Sequence, residues 1–125
     1  MSAKIAIIDD DPNIRELLYV NLQRRGYDAV SEGDSTKALD VIHSHMPDLV
    51  VLDVMMPEID GWEICKIIRD DEKISHIKIL MLTAKSTAKD KMIGKDILKA
   101  DEYVTKPFDM GQLIHTVKRL LDEIG

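Results

Sequence analysis

Short apolar runs that alternate with helical segments are the feature of this sequence that most restricts its fold. The runs are β-branched and nearly continuous, which is typical of strands that are covered on both faces of a parallel sheet. Several runs end at or beside residues that can bind a metal or a phosphoryl group: Asp9 and Asp10, Asp53, Thr83 and Lys106. Ligands of open parallel sheets bind outside the carboxyl ends of the strands. We therefore predict that these side chains converge at one edge of a single sheet.

Five strands are predicted from the apolar runs. They cover Lys4–Ile8, Tyr27–Val30, Leu49–Asp53, Ile77–Leu82 and Glu102–Thr105. The segments between them have helical periodicity. Strands that alternate with helices in this way favour right-handed βαβ units, and therefore a doubly wound α/β sheet.

The first predicted helix has a clear start and a clear end. Asp11 can cap it, Pro12 suits its first turn, and Gly26 suits its end. The spacing of its apolar residues predicts a buried face that carries Ile14, Leu17, Leu18 and Leu22.

The remaining helices are predicted from the same signals. The second helix is capped by Asp34 or Ser35 and stops before Pro47. The third covers Gly61–Asp70, and a weaker fourth helix covers Ala88–Lys99. The apolar residues of the final helix are Leu113, Val117, Leu120 and Leu121.

Size and composition indicate one domain that spans residues 1–125 and has a real hydrophobic core. Hydrophobic residues make up 45% of the 125 residues. The formal net charge of −6 argues against broad binding to nucleic acid or to anionic lipid, which needs a basic surface. Cys65 is the only cysteine, so no internal disulfide can form, and a reducing compartment is expected. We find no signal peptide and no membrane-spanning segment, and we expect a cytoplasmic protein.

The three acids at the strand ends suggest a magnesium site. Asp9, Asp10 and Asp53 offer the oxygen ligands that Mg²⁺ prefers, and without a cation their mutual repulsion would raise their pKa values. Thr83 and Lys106 could bind phosphoryl oxygens at the same edge. The alternatives are ordinary: acids that cap loops or helices, a strand threonine, and a solvated surface lysine.

Four motifs resemble the receiver domains of two-component response regulators, and together they cover essentially the whole chain. They are Ile7-Ile8-Asp9-Asp10-Asp11-Pro12, Asp48–Gly61, Leu82-Thr83-Ala84 and Ala100–Phe108. The resemblance implies a flavodoxin-like (βα)5 fold, which is a five-stranded parallel sheet in the order 2-1-3-4-5 with helices on both faces. It also implies a signalling switch rather than an enzyme, one that catalyses only its own phosphoryl transfer and slow autodephosphorylation.

The resemblance assigns the acidic residues to phosphoryl acceptance and metal binding. Asp53 would be the phospho-acceptor, a carboxylate nucleophile that forms an acyl phosphate. Asp10, Asp53 and the main-chain carbonyl of Met55 would bind Mg²⁺ directly. Asp9 would act on the metal through a water.

A second group of residues would bind the phosphoryl group and respond to it. Thr83 and the amide of Ala84 would bind phosphoryl oxygens, and Lys106 would supply the counter-charge. The Lys106–Pro107 peptide is expected to be cis. Tyr103 would be the aromatic switch that turns inward when Thr83 moves onto the phosphoryl group.

The implied partners are proteins. A sensor histidine kinase or a histidine phosphotransfer protein would donate the phosphoryl group. A downstream target would bind the face formed by the fourth helix, the fifth strand and the fifth helix. Thr116 and Glu123 stand where the winged-helix transcription-factor subfamily has basic residues that pair with acids across a dimer. We therefore expect a monomer or a weak dimer, with no direct binding to nucleic acid.

The sequence departs from the family pattern near the fourth helix. Lys99 stands where family members usually have glycine. The segment between Thr83 and Tyr103 is one residue longer than in the family pattern. Met55 and Lys85 flank the expected phosphoryl position. Their residue types resemble those of regulators that keep the phosphoryl group for longer, more than those of regulators that lose it quickly.

Three other readings remain open at the level of sequence. A phosphatase with an aspartyl nucleophile needs an acid or base two residues after that nucleophile, where this chain has Met55. A flavodoxin-like cofactor binder needs a small-residue loop after its first strand, where Asp9-Asp10-Asp11 would repel a bare phosphate. A degenerate receiver would act through protein contacts alone, although all the key side chains are present.

Overall fold

A computed structural model describes residues 2–84 and 99–122 of the chain. Within these residues, five parallel strands form one sheet in the order β2-β1-β3-β4-β5. The strands are β1 Lys4–Ile8, β2 Asp28–Glu32, β3 Leu49–Asp53, β4 Lys78–Thr83 and β5 Glu102–Thr105. The predicted doubly wound α/β fold, with its strand order, is confirmed.

Four α-helices connect or follow the strands in the described residues. They are α1 Pro12–Arg24, α2 Ala38–His45, α3 Gly61–Asp70 and α4 Met110–Asp122. The carboxylate of Asp11 accepts hydrogen bonds from the backbone N–H groups of Asn13 and Ile14, so the predicted cap of α1 is confirmed. A short 3₁₀ helix, Ser35–Lys37, precedes α2 and is capped by Asp34. Contrary to the prediction, neither Asp34 nor Ser35 caps α2 itself, because α2 begins after Lys37 without a side-chain cap. None of the described helices is long and apolar enough to cross a membrane.

The predicted fourth helix, Ala88–Lys99, lies outside the described residues except for Lys99. The same holds for Lys85 and Glu123. The label α4 therefore refers to the final helix, Met110–Asp122.

The sheet separates two hydrophobic clusters because successive side chains of each strand point to opposite faces. On one face, α1 and α4 pack against alternate strand residues: Ile5, Ile7, Leu49, Val51, Leu80 and Leu82. On the other face, α2 and α3 cover the intervening residues: Ala6, Ile8, Val50, Leu52, Ile79 and Met81. The apolar runs are continuous in the sequence because both faces of the sheet are buried.

Some predicted boundaries and contacts were wrong. β2 begins after Tyr27 and extends to Glu32, and β4 is shifted by one residue so that Thr83 is its last residue. Leu17 was placed on the buried face of α1, but its side chain is 53% exposed. On α4, Ile114 is buried although it was not predicted to be, and Leu121 is only half-buried.

Glycine is required at position 61, where α3 begins directly below the end of β3. A side chain at Gly61 would overlap the backbone carbonyl oxygen of Asp53. The backbone N–H of Gly61 donates a hydrogen bond to the carbonyl of Val54 at 2.8 Å, so the close approach is also bonded. The start of α3 is therefore fixed against the residue that ends β3.

We expect Gly61→Ala to lower the free energy of unfolding by about 3 kcal/mol, because two rigid backbones would have to separate. Gly111→Ala is the matched control, since Gly111 lies in the first turn of α4 and its added carbon would meet only the flexible side chain of Asp109. That control should be neutral or stabilising by up to about 1 kcal/mol. Urea denaturation measures both values, and equal effects of the two substitutions would contradict the close-approach argument.

Lys99 has a left-handed backbone conformation, with φ of 60°. Residues other than glycine are disfavoured there, and this agrees with the expectation from the resemblance that glycine is usual at this position. The carbonyl of Lys99 accepts a hydrogen bond of 2.8 Å from Nε of Arg69, whose Nη2 also contacts Asp101 at 2.7 Å. The arginine on α3 thus holds the chain in this conformation as it enters β5.

We expect Lys99→Gly to raise the free energy of unfolding by about 0.5–1 kcal/mol, since glycine adopts positive φ without steric strain. The matched control is Lys37→Gly, because Lys37 is also an exposed lysine but has φ of −101°. Glycine at position 37 should lower stability, because there it only increases the freedom of the unfolded chain. A loss of stability at both positions, measured by urea denaturation, would contradict the prediction.

Candidate metal and phosphoryl site

The strand register brings the predicted acids together at the carboxyl edge of the sheet. Ile8 of β1 pairs with Leu52 of β3, so Asp9 follows β1 at the level of Asp53. Carboxylate oxygens of Asp9, Asp10 and Asp53 lie within 4.8 Å of one another. Asp9 is fully buried and Asp53 is 3% exposed, whereas Asp10 is exposed. The cluster therefore has a buried floor and one side that is open to solvent.

Lys106 enters this cluster from the end of β5. Its Nζ lies 3.1 Å from Oδ2 of Asp9 and 3.2 Å from Oδ1 of Asp53. The backbone N–H of Lys106 donates a hydrogen bond of 2.6 Å to the carbonyl of Thr83, which fixes the chain at the end of β4. The Lys106–Pro107 peptide is cis, as predicted. The alternative of a solvated surface lysine is wrong for this residue.

The same carboxylates also have ordinary structural roles. Oδ1 of Asp9 accepts a hydrogen bond of 2.9 Å from the backbone N–H of Asp11, and Oδ1 of Asp53 accepts one of 3.3 Å from Met55. The alternative that these acids cap loops is therefore correct for Asp9 and Asp53. These bonds fix the orientation of each carboxyl group and leave the acids grouped at one point.

Burial and like charge strongly disfavour the ionised form of Asp53. Loss of solvation and the nearby charge of Asp9 raise the pKa of Asp53 to about 7, although Lys106 partly opposes them. Burial lowers the pKa of Lys106, but the hydrogen bonds and charges of Asp9 and Asp53 outweigh this and raise it above its ordinary value. Lys106 therefore stays charged, and one lysine does not fully neutralise the acids around it.

These residues fit a divalent cation. The donors are carboxylate oxygens, which hard cations such as Mg²⁺ prefer, and the three groups are close enough to share one ion. Burial, and then the charge of Asp9, raise the pKa of Asp53, so a further negative charge is disfavoured in this cluster. A bound cation would supply the missing positive charge.

Thr83 and Tyr103 lie where the sequence predicted. Thr83 ends β4 and is 4% exposed, and it lines a cleft of about 510 Å³ together with Met55 and Trp62. Ala84 follows it directly, at the same edge. Tyr103 on β5 is half-buried, and its ring packs against the core cluster under α2 and α3.

Two further residues near the site were not predicted to have the roles they have. Arg15 on α1 donates a hydrogen bond of 2.9 Å from Nη1 to the backbone carbonyl of Asp9. Ser35 was considered only as a helix cap, yet its hydroxyl contacts the loop that follows β3. The sequence does not indicate the contact of Ser35, because its partner lies 22 residues away along the chain. Arg15 lies only six residues after Asp9, but its spacing does not reveal that the guanidinium turns back to that carbonyl.

The family model described as the response regulator receiver domain matches residues 5–118. The chain belongs to this family of receiver domains. Among related proteins, it is 44% identical over 121 residues to the alkaline phosphatase synthesis transcriptional regulatory protein PhoP of Bacillus subtilis, covering 97% of this chain and 49% of that protein. It is 42% identical over 118 residues to the DNA-binding dual master transcriptional regulator RpaA of Synechocystis, covering 94% of this chain and 48% of RpaA.

A solved structure of a receiver supports the same assignment. The chemotaxis protein CheY4 of Vibrio cholerae superimposes with a TM-score of 0.90 at 31% identity, covering 96% of this chain and 99% of that chain. The receiver described here spans about half the length of the curated relatives that it matches.

The pKa of Asp53 predicts an unusual pH dependence of stability. Because the folded pKa is near 7 and the unfolded value is 3.8, the folded state holds a proton that the unfolded chain has lost between these values. Stability without metal should therefore fall as pH rises from about 4 to about 7. Asp53→Asn removes this effect, and we expect it to stabilise the metal-free protein by about 1–2 kcal/mol at pH 8, a figure reduced for solvent screening at the open side.

Urea denaturation in EDTA at pH 5 and pH 8 measures the effect. The stabilisation by Asp53→Asn should shrink at pH 5, where the wild-type carboxyl is already protonated. An exposed aspartate on α2, Asp40, provides the control Asp40→Asn, which should not stabilise the protein at pH 8. A stabilisation of Asp53→Asn that is independent of pH would contradict the raised pKa.

Proposed function

We propose that this receiver accepts a phosphoryl group on Asp53 and changes its output surface in response. The observation that carries the proposal is the position of the Asp53 carboxylate, which is nearly buried, lies beside Asp9 and contacts the Lys106 ammonium at 3.2 Å. Phosphoryl transfer depends on positioning and on charge neutralisation more than on covalent machinery. The surroundings of Asp53 supply both.

In the proposed step, a carboxylate oxygen of Asp53 attacks the phosphorus of a phosphohistidine on a partner protein. A bond forms between this oxygen and phosphorus while the bond from phosphorus to the histidine nitrogen breaks, and its electron pair leaves with the imidazole. Lys106 lies 3.2 Å from Oδ1 of Asp53, and its charge would pair with the new phosphoryl oxygens.

The proposed cofactor is Mg²⁺. Asp10, Asp53 and the main-chain carbonyl of Met55 would hold it directly, and Asp9 would act through a water. When bound, the ion would neutralise negative charge on the acids and on the incoming phosphoryl group. Arg15 would help to keep Asp9 in position, since its side chain donates a hydrogen bond to the carbonyl of Asp9 at the end of β1.

The proposed switch uses residues on β4 and β5. The hydroxyl of Thr83 and the amide of Ala84 would bind the new phosphoryl oxygens, and Tyr103 would turn further inward as Thr83 moves. This would shift an existing equilibrium between two conformations rather than create a new fold. The output face would include β5 and α4, where an ion pair of 2.9 Å joins Glu102 to Arg119.

The proposed partners are a histidine kinase or a phosphotransfer protein upstream and a protein target at the output face. The relatives PhoP and RpaA are described as transcriptional regulators, and RpaA as DNA-binding. The match covers only about half of each. With a net charge of −6, the present chain is not expected to contact nucleic acid itself.

Sustained phosphatase activity is the less supported alternative. An aspartyl phosphatase needs a group that transfers a proton two residues after its nucleophile. That position holds Met55, whose thioether cannot do so, and Met55 is 57% exposed. The phosphoryl group on Asp53 would therefore be held rather than rapidly passed to water.

The test is intact-mass spectrometry after incubation with Mg²⁺ and acetyl phosphate. We expect the wild-type protein and the surface control Asp40→Asn to gain one phosphoryl group of about 80 Da. Asp53→Asn should gain none, because the amide is a far weaker nucleophile, and the wild type in EDTA should react at least about tenfold more slowly.

Three outcomes would count against the proposal. Modification of Asp53→Asn to the same extent would place the acceptor elsewhere. Equal labelling in EDTA would reject the role of the cation. No labelling of the wild type, by acetyl phosphate or by a phosphorylated histidine phosphotransfer domain, would point to a degenerate receiver.

A further inference from the structure

The loop between β3 and α3 contains a tight turn with an unfavourable backbone conformation. The backbone N–H of Ile59 donates a hydrogen bond of 2.9 Å to the carbonyl of Pro57, which closes a three-residue γ-turn. The central residue, Glu58, has φ of 72°. This form of the γ-turn is rare and strained, and such strain persists only where the surroundings enforce it.

The hydroxyl of Ser35 contacts both ends of this turn. Its Oγ donates a hydrogen bond of 2.5 Å to the carbonyl of Pro57 and accepts one of 3.3 Å from the backbone N–H of Ile59. The side chain of Ser35 is 3% exposed although Pro57 and Glu58 are at the surface. The buried hydroxyl of Ser35, in the connection between β2 and α2, is therefore hydrogen-bonded to both ends of a turn that begins 22 residues later in the chain.

Ser35 is itself firmly placed. It is the first residue of the 3₁₀ helix Ser35–Lys37, and the cap of that helix, Asp34, accepts a hydrogen bond of 2.9 Å from the backbone N–H of Thr36. The next helix, α2, packs into the core through Ala38 and Ile42. The position of the hydroxyl is therefore set by the core rather than by the loop that it contacts.

The turn lies directly beside the residues of the phosphoryl site. Met55 donates its backbone N–H to Asp53, and the N–H of Gly61 donates to Val54, so the loop is attached to the end of β3 on both sides. Between these points, Ser35 adds two hydrogen bonds at Pro57 and Ile59. Met55 lies two residues before Pro57, so the turn and the expected metal-binding carbonyl belong to one short loop.

We infer that Ser35 is a positioning residue for the metal and phosphoryl site, because its hydroxyl holds the strained turn in the conformation that orients Met55. This inference rests on the proposed function, in which the main-chain carbonyl of Met55 binds Mg²⁺. Without the hydroxyl, the loop would spend part of its time in relaxed conformations in which that carbonyl points elsewhere. The apparent affinity for Mg²⁺ would fall in proportion to the population of the loop conformation that can bind the ion.

The test compares Mg²⁺ binding by the wild type, Ser35→Ala, Ser35→Thr and Ser44→Ala, measured by isothermal titration calorimetry and by the fluorescence of Trp62. Ser44 is an exposed serine on α2 and is the matched control. Ser35→Ala removes both hydrogen bonds to the turn. Their combined net contribution of about 1 kcal/mol corresponds to a factor of about five, so this variant should bind Mg²⁺ about fivefold more weakly. Ser35→Thr keeps the hydroxyl and should bind within about twofold of the wild type, as should Ser44→Ala.

The outcomes separate this inference from the proposed function. No saturable Mg²⁺ binding by the wild type would reject the metal site, and this inference with it. If the wild type binds Mg²⁺ and Ser35→Ala binds it with the same affinity, the inference about Ser35 is overturned and the proposed function is not. This holds even if Ser35→Ala is less thermally stable than the wild type in EDTA. Binding by Ser35→Thr that is as weak as that of Ser35→Ala would also overturn it, because the loss would then come from packing rather than from the hydroxyl.

Discussion

The contact of one lysine with two nearly buried carboxylates is the interaction on which the site depends. Asp9 and Asp53 lie at the end of the sheet in a position where two ionised acids are strongly disfavoured. Lys106 makes their joint burial possible by contacting both, at 3.1 and 3.2 Å. Its compensation is incomplete, because burial and the charge of Asp9 together raise the pKa of Asp53 to about 7 despite the lysine. A cation could relieve what remains, so the same electrostatics that limit stability suit these acids to hold a metal ion.

This interaction couples the site to the completed sheet. Asp9 follows β1, Asp53 ends β3 and Lys106 follows β5, and these strands are brought together only when the whole parallel sheet has formed. The register then sets their heights, since Asp53 pairs with Leu82 and Thr83 with Thr105. A shift of one residue in any strand would turn its terminal side chain to the opposite face. The packing of the core on both faces is therefore also what positions the charges.

The sequence predicted the parts of this protein that depend on local pattern. Buried strands such as β3 read as unbroken apolar runs, and their bounds were predicted correctly. β2 was misplaced because it lies at the edge of the sheet and ends in Ser31 and Glu32, which do not look apolar. Leu17 shows the limit of periodicity, since spacing alone does not say how wide a helix face is covered. The hydroxyl of Ser35 was missed because its partners are fixed only by the tertiary fold.

Backbone strain alone does not identify the functional edge of the sheet. Among the described residues other than glycine, φ is positive at Met46, Glu58 and Lys99. Met46 ends α2, where a left-handed residue is common. Arg69 donates a hydrogen bond to the carbonyl of Lys99, and Ser35 is hydrogen-bonded to the two residues that flank Glu58. Lys99 precedes β5 at the opposite edge, where its neighbour Asp101 is already paired with Arg69, so its strain has a structural explanation. Glu58 lies in the loop that begins at the crowded carboxylates. Within residues 2–84 and 99–122, backbone strain lies beside the crowded carboxylates at this turn. That coincidence supports the proposals that the carboxyl edge is the functional one and that the turn around Glu58 helps to position it.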